Sequence, residues 1–588
     1  RMAGRNAVIR RLPAVETLGA VSIICSDKTG TLTRNEMTAR RVVTAGSTIM
    51  VDGSGYAPGD HRLHTDDAAA LMLITTGLLC NDASLRESAG DWLAEGDPME
   101  GALVTLAMKA GLAPDTLRRD WPRRDEIPFD SDTRYMATLH NQPDGGRVAL
   151  IKGAPERLLA MAGTQADGDG DAALNADYWS DQIAAAGAGG ERVLGFAMKP
   201  MPDTQGALAP DDVAQGLRFL GITGFIDPPR DEAVAAIAEC QSAGIGVKMI
   251  TGDHAATAAA IAHQLGLGDV PSVLTGQDLD TIPEPDFARA VHETTVFART
   301  SPEHKLRIVR ALQASGAVVA MTGDGVNDAP SLKQADVGIA MGRKGTEAAK
   351  EAAQMVLMDD NFASIVASVH EGRIVYDNIR KVVAWTLPTN GGEVLTVIAA
   401  IVFNFAMPMT AAQILWINLV LTVTLGLVLA FEAAEPGVMR RAPRPAHAGL
   451  LSPFLLWRIA FISALFLIWA LGVFFYALSR GYELELARTM VVNMIVVLEI
   501  FYLFNIRYLH ASSFSLRGAA GTPAVLGAVA VVIVAQLAFT YLPVMQDLFQ
   551  TRAMTIADGA LLVGLGVVAL VVMETEKQIM RRRDFRPD

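Results

Sequence analysis

The chain has 588 residues, 51% of them hydrophobic, and a formal net charge of −13 at neutral pH. It is longer than one ordinary domain and too apolar for a purely soluble protein, so part of it is expected in lipid. The acidic balance, with no basic stripe in the polar part, argues against nucleic acid as a partner. Three scattered cysteines, Cys25, Cys80 and Cys240, form no zinc-ligand spacing and read as buried thiols.

Residues 1–380 read as mixed α/β globular sequence. The apolar run Ala20–Cys25 is strand-like and leads into DKTGTLT, Asp27–Thr33. A strand there leaves Asp27 at the carboxyl edge of a parallel sheet, where α/β folds gather ligands, and Gly30 lets the chain turn sharply behind it. From residue 37 to about 218 the sequence is mixed, broken by VDGSGYAPGD and TQADGDGD, without an internal repeat. Beyond Gly221, strands and helices alternate in the doubly wound manner. DPPR (227–230) precedes VKMITGDH (247–254), a buried strand ending in Thr251, Gly252 and Asp253 and so repeating the placement of Asp27. ARTSPEHK (298–305) supplies the cation Lys305, and VVAMTGDGVNDAP (318–330) is a strand that enters an acidic loop bracketed by glycines. A carboxylate that attacks a phosphoryl group brings negative charges together, so the approach needs a divalent metal and a lysine. Asp324 and Asp328 can supply the metal site and position the phosphate, with Asn327 as a hydrogen-bond donor.

Beyond Trp385 long apolar runs dominate. Six candidate spans fall near 383–405, 413–431, 454–477, 489–506, 523–544 and 557–573, each roughly the length of a bilayer-crossing helix. Arg440, Arg441, Arg444, Arg458, Arg507, Arg517 and Arg581–Arg583 fall on one side of that arrangement, against Arg480, Arg488 and Arg552 on the other. The excess predicts that the globular part and the C-terminus are cytoplasmic. In the first span Asn390 and Glu393 share a helix face, with Pro388, Gly391 and Gly392 loosening the helix; in the second, Asn418 and Thr422 are four apart and can face the same cavity. Glu499 in the fourth span is a further candidate, because an ionisable residue inside a span is by default functional.

Taken together these stretches resemble the P-type ATPases, most specifically at residues 21–37, 96–156 and 247–350. DKTGTLT resembles the family's phosphorylation signature, which implies that Asp27 attacks the γ-phosphate of ATP to give an aspartyl phosphate. The resemblance implies a haloacid-dehalogenase-like, doubly wound phosphorylation domain in two parts, 1–36 and 219–380. An inserted α+β nucleotide-binding domain would occupy 37–218, and an all-α transmembrane domain of six helices 381–588. It also implies Mg²⁺ held by Asp27, Thr29 and Asp324, with Lys305, Thr251, Gly252, Asp253, Asn327 and Asp328 completing the catalytic set.

GDPMEGAL (96–103), IPFDSDTRYM (127–136), IKGAPE (151–156) and the Glu191–Arg192 pair resemble the family's ATP pocket. By that resemblance Phe129 stacks on adenine, Glu100 hydrogen-bonds the base edge, and Lys152 with Gly153 floors the pocket. Arg134 and Arg192 reach phosphates and ribose. Ser131 stands where calcium pumps commonly carry an arginine. Soluble phosphatases of the same wider class usually carry a second Asp two residues after the nucleophile; here that position is Thr29, a poor proton carrier, so a phosphoenzyme is expected to persist.

The membrane part is similar to type II cation pumps, calcium pumps among them, which offer Asn and Glu at the positions of Asn390 and Glu393. Where they carry Thr-Asp after the second-span Asn, this chain has Leu421-Thr422. A site with one carboxylate fewer holds divalent ions less well and suits fewer or singly charged ions. The expected partners are therefore ATP, a transported cation and the lipid bilayer, and the expected location is a bacterial plasma membrane. The N-terminal stretch resembles sequence that follows the fourth membrane helix of these pumps, so a preceding half with four helices and an actuator domain is a further expected partner. A membrane-anchored phosphohydrolase or regulatory relative that does not pump is the alternative reading.

Overall fold

The computed structural model describes residues 2–59, 63–88, 91–168, 170–445, 449–508 and 522–582. Arg517, Arg583 and the side chains of Leu421, Thr422 and Arg581 lie outside the described residues.

Two sheets organise the soluble part. The first has eight strands in the order Ala7–Ile9, Met355–Leu357, Val337–Met341, Val319–Gly323, Ile23–Asp27, Gly246–Ile250, Val296–Ala298 and Val273–Thr275. Only the pairing of Ala7–Ile9 with Met355–Leu357 is antiparallel. The central strands are apolar at successive positions because both faces are covered, as parallel sheets require. Ile24, Met249 and Ala320 enter one core, whereas Ile23, Cys25, Ile250 and Met321 enter the other, the period-two alternation of a strand. From Ile23–Asp27 the order runs outward to Gly246–Ile250 on one side and to Val319–Gly323 on the other. Strand order therefore reverses at Ile23–Asp27, and α/β sheets open their ligand crevice beyond the carboxyl ends of strands at such a point.

The second sheet runs Gly170–Ala173, Ala162–Asp167, Leu217–Ile226, Arg192–Met201, Arg147–Gly153, Tyr135–Asn141 and Arg123–Ile127, with Thr38–Val43 attached to Leu217–Ile226. Its pairings are antiparallel except between Ala162–Asp167 and Leu217–Ile226. Helices Ala68–Leu79 and Pro98–Lys109 cover one face around Phe196 and Phe225. On the other face Trp179 meets Phe219 edge-on, ring centroids 4.9 Å apart.

Cys25, Cys80 and Cys240 are all buried and free. Burial pushes the thiols of Cys25 and Cys240 up to about 12, and that of Cys80 up as well. The nucleophilic thiolate is therefore absent at neutral pH. A maleimide reagent at pH 7 is expected to leave all three unmodified until denaturant is added, by intact mass; rapid modification of the native chain would contradict that burial.

Among the described residues, five helices are long and apolar enough to cross a membrane: Ala411–Leu429, Pro453–Ser479, Leu484–Ile506, Pro523–Tyr541 and Ile556–Met580. These match five of the six expected spans. The remaining one, 383–405, is the outer half of the 41-residue helix Phe362–Val402, and it falls short because Thr389, Asn390, two glycines and Glu393 dilute its apolar content. The expected loosening also needs correction, since the helix runs unbroken through Pro388. Proline removes the amide that would bond the carbonyl four residues earlier, and here the Ala384 carbonyl accepts instead from the Tyr502 hydroxyl at 2.6 Å. Gly391 and Gly392 serve close packing: a Cβ on either would lie 2.4 Å from Ser463 or Phe466 of helix Pro453–Ser479.

Candidate functional site

Asp27 ends the central strand of the first sheet, and its backbone N–H donates to Thr322 Oγ1 on the neighbouring strand at 2.9 Å. The chain then turns through Gly30, at φ +75°, a left-handed conformation that glycine adopts without strain. Across the crevice, helix Pro302–Ala314 opens with Ser301 as its cap, and Lys305 in its first turns reaches back over the sheet edge. Its Nζ donates to Asp27 Oδ2 at 2.8 Å and to Asp328 Oδ1 at 2.9 Å. Asp328 Oδ2 accepts from the amides of Asp324 and Gly325 at 3.2 and 3.1 Å, closing the acidic loop on itself. A Cβ at Gly323 would stand 2.5 Å from that of Asp328, so the loop closes only over glycine.

Carboxylate oxygens of Asp27, Asp324 and Asp328 lie within 4.8 Å of one another. Burial would lower Lys305, but the charges of Asp27 and Asp328 outweigh it and hold Lys305 above its ordinary value. Asp324 is raised, first by burial and then by repulsion from Asp27 and Asp328. Thr251 is buried beside the crevice, and its hydroxyl accepts from the Asp253 amide at 3.1 Å. Gly252, Asn327 and Thr29 are exposed, each within two residues of Asp253, Asp328 or Asp27 in the chain.

Two residues of the crevice were not singled out from the sequence. Lys28 is buried, with its Nζ 2.7 Å from Asp253 and 3.8 Å from Asp227. Asp227 accepts from Thr33 Oγ1 at 2.6 Å and from the Asn35 amide at 2.7 Å. DPPR is thus stitched to DKTGTLT through its aspartate; a buried-site lysine between two acidic motifs was the available signal.

The second sheet gathers the other candidates at one end. Gly153 lies opposite Tyr135 on one side and Gly195 on the other. Arg134 just precedes one of these strands, Arg192 opens another, and Phe129 follows the edge strand Arg123–Ile127, so residues far apart in sequence share an edge. Phe129 is 63% exposed there. Lys152, buried, forms an ion pair with Glu100, whose second oxygen accepts from the Asp82 amide at 3.0 Å. A cleft of about 330 Å³ joins the two regions, lined by Lys28, Thr29, Asp253, by Arg192 of the second sheet and by Asp97, the cap of helix Pro98–Lys109 that packs on it.

In the apolar helices Asn418 donates from Nδ2 to Glu393 Oε2 at 3.0 Å and to the Ile414 carbonyl at 3.1 Å. Glu499 is buried within electrostatic reach of Glu393. Glu393 Oε1 and Glu499 Oε2 have no hydrogen-bond partner among the described residues. Asn390, partly buried, lies one turn before Glu393. The Thr422 side chain lies outside the described residues.

An α/β soluble part with an acidic, lysine-bridged crevice, joined to a set of apolar helices, defines a multi-pass membrane protein. Residues 70–232 match the family described as P-type ATPase, cytoplasmic domain N, and residues 406–579 match cation transporting ATPase, C-terminus. The chain is 46% identical to the probable cation-transporting ATPase F of Mycobacterium tuberculosis, over 100% of this chain and 66% of that protein. It is 43% identical to the cation-transporting ATPase pma1 of Synechocystis, over 94% and 63%. It is 37% identical to a calcium-transporting ATPase of Bacillus subtilis, over 97% and 65%. The chain belongs to the P-type ATPases, in their type II cation-transporting branch, and spans just under two thirds of the length of these relatives.

Proposed function

We propose that this chain carries the ATP-binding, phosphorylated and cation-binding portions of a transport ATPase. Asp27 attacks the γ-phosphorus of ATP, the bond to the bridging oxygen breaks, and aspartyl phosphate and ADP result. The observation that carries this reading is the single lysine bridging Asp27 and Asp328 at the sheet's switch point, with Asp324 alongside. Lys305 aligns the nucleophile and stays charged beside the incoming phosphoryl oxygens. The oxygen-only donor set suits a hard cation. Asp27 and Asp324, with Thr29 on the adjoining turn, would hold Mg²⁺, because both Asp328 oxygens are already bonded to Lys305 and the loop amides. When bound, the ion would supply positive charge to the transferring group.

On this reading the first sheet is the haloacid-dehalogenase-like phosphorylation domain, contributed by 1–36 and 219–380, and the second is the nucleotide domain of 37–218. The strand Leu217–Ile226 runs on past that boundary. ATP lies along the shared sheet end, adenine on exposed Phe129, with Glu100 and Lys152 at the base and Arg134 and Arg192 toward ribose and phosphates. Replacing Phe129 by Ala should raise the Kd for ATP roughly 2- to 12-fold, the range of an aromatic stack, by calorimetry at fixed Mg²⁺; an unchanged Kd would move adenine elsewhere.

The cation is held between helices by Glu393 and Glu499, each with a buried carboxylate oxygen that has no hydrogen-bond partner among the described residues and suits a cation ligand; Asn418, bonded to Glu393, and Asn390, one turn before it, complete the set with Thr422, four residues beyond Asn418 in the sequence. The soluble part faces the cytoplasm of a bacterial plasma membrane. The test is labelling from γ-labelled ATP in membranes while Ca²⁺, Na⁺, K⁺ and H⁺ are varied in turn. One of these should promote or suppress an acyl phosphate, and Glu393→Gln should shift its half-maximal concentration about tenfold or more, the cost of a lost charged ligand. Labelling indifferent to every cation and to Glu393→Gln would favour the phosphohydrolase alternative.

A further inference from the structure

A second cavity, of about 530 Å³, lies where the soluble part meets the apolar helices. Among the described residues five arginines line it, Arg373, Arg380, Arg440, Arg441 and Arg444, against one carboxylate, Asp377. From the soluble side, Gly19 closes it at the end of helix Pro13–Leu18. From the apolar side it is closed by Ser452, which caps helix Pro453–Ser479 by accepting from the Leu455 amide at 3.3 Å. We infer that this cavity binds the phosphate head group of an anionic phospholipid.

The charge is built in. Arg373 is buried and its guanidinium donates to three carbonyls, those of Val438, Arg441 and Ala243, at 2.8 to 3.3 Å, so it brings a full positive charge with neutral partners. Arg441 is turned toward Asp377. Arg444 lies 3.7 Å from the Tyr376 ring centroid and reaches Glu16, yet its Nε is buried with no hydrogen-bond partner among the described residues. Arg380 reaches the Ser452 hydroxyl at 3.4 Å, so a guanidinium stands at the amino end of a 27-residue helix, an end that itself favours anions. Arg440 is exposed at the mouth. Guanidinium groups converging on one cavity match the bidentate geometry of a phosphate.

Location selects lipid over a soluble phosphate. The helix beginning at Pro453 is one of the apolar spans, and Leu450, Leu451, Leu456 and Trp457 beside the cavity are 38 to 53% exposed. Exposed leucines under a basic cavity give acyl chains a surface, and tryptophan at such a level is the usual interfacial anchor. A soluble anion would make no use of that apolar flank.

The purified chain, in detergent with equal amounts of dioleoylphosphatidylglycerol and dioleoylphosphatidylcholine, is to be examined by native mass spectrometry. One phosphatidylglycerol should be retained in preference to phosphatidylcholine. Arg440→Glu and Arg444→Gln should each weaken retention roughly fivefold or more, the effect of one basic residue at a membrane surface. Arg480→Glu, at the opposite end of the same helix, should leave it unchanged. Arg440 is exposed, so its substitution keeps the fold, which an unchanged thermal midpoint verifies. Equal retention of the two lipids, or retention indifferent to Arg440→Glu, overturns the inference. Binding of inorganic phosphate to lipid-free protein with the same arginine dependence and comparable affinity also overturns it, in favour of a soluble anion.

Discussion

Replacing Asp27 by Asn should remove all acid-stable, hydroxylamine-sensitive label from γ-labelled ATP, lowering phosphoenzyme formation by a factor of about 10⁴ or more, as loss of a nucleophile does elsewhere. The amide is nearly isosteric but offers no anionic oxygen. The fold should be untouched: the Asp27 backbone keeps its bond to Thr322 and Lys305 keeps Asp328 at 2.9 Å. The substitution also removes one of three carboxylates crowded within 4.8 Å, so the thermal midpoint should stay level or rise. Peptide mapping should find the wild-type acyl phosphate on the segment Ser26–Thr33. Label persisting in the variant, or mapping to another carboxylate, would displace Asp27 from the role.

What could be read from the sequence followed from local pattern. Apolar runs ending in Asp27, Thr251 and Gly323 marked three strands, and the structure sets all three side by side with their acidic loops at one edge. The Lys305–Asp27 contact joins residues 278 apart; spacing showed a cation near an acidic loop, and only the sheet order shows which carboxylates it bridges. The common edge of Phe129, Arg134, Gly153 and Arg192 was equally invisible, because it depends on antiparallel register rather than on any one strand. Lys28 escaped notice for the opposite reason. A lysine beside an aspartate reads as a solvated turn until burial against Asp253 and Asp227 is seen.

The membrane part was legible in length and illegible in detail. Hydropathy located the helices within a few residues, yet Pro388 and the two glycines read as loosening the first of them. Tertiary contacts decide otherwise: Tyr502 satisfies the freed carbonyl and Ser463 and Phe466 pack against the glycines. The arginines that predicted orientation carry more than that. Arg458 is buried and bonded to Glu576 of another helix at 2.7 Å, and Arg507 at a helix end is buried against Glu432 of a loop at 2.9 Å, so part of the basic excess fastens the apolar part internally while Arg440 and Arg444 face a cavity.

Lys305→Met and Asp324→Asn should move the stability of the metal-free protein in opposite directions. Removing Lys305 leaves Asp27 and Asp328 without the ammonium that bridges them, and breaking a largely buried ion pair from one side costs about 3 kcal/mol. Lys305 is held above its ordinary value by those carboxylates. Its contribution is therefore fully present below 10.5 and is lost only as pH rises through the higher folded value. Asp324 is also raised, by burial and by its two acidic neighbours, but the sign for stability at neutral pH is the reverse. Its contribution is greatest below 3.8, where it is protonated, and falls as pH rises through the raised value, so the ionised form opposes folding at pH 7. Asp324→Asn should accordingly raise the metal-free melting temperature at pH 7, with the difference narrowing as the solution is acidified. Mg²⁺ should erase that advantage, since a ligand at 100 times its Kd adds about 2.7 kcal/mol to a protein that binds it. The asparagine variant, lacking a hard anionic ligand, should gain little. Melting curves with and without Mg²⁺ at pH 5 and pH 7 make the comparison. Equal stabilisation of both chains by Mg²⁺ would take Asp324 out of the metal site, and a variant less stable than wild type without metal would refute the charge crowding inferred from its neighbours.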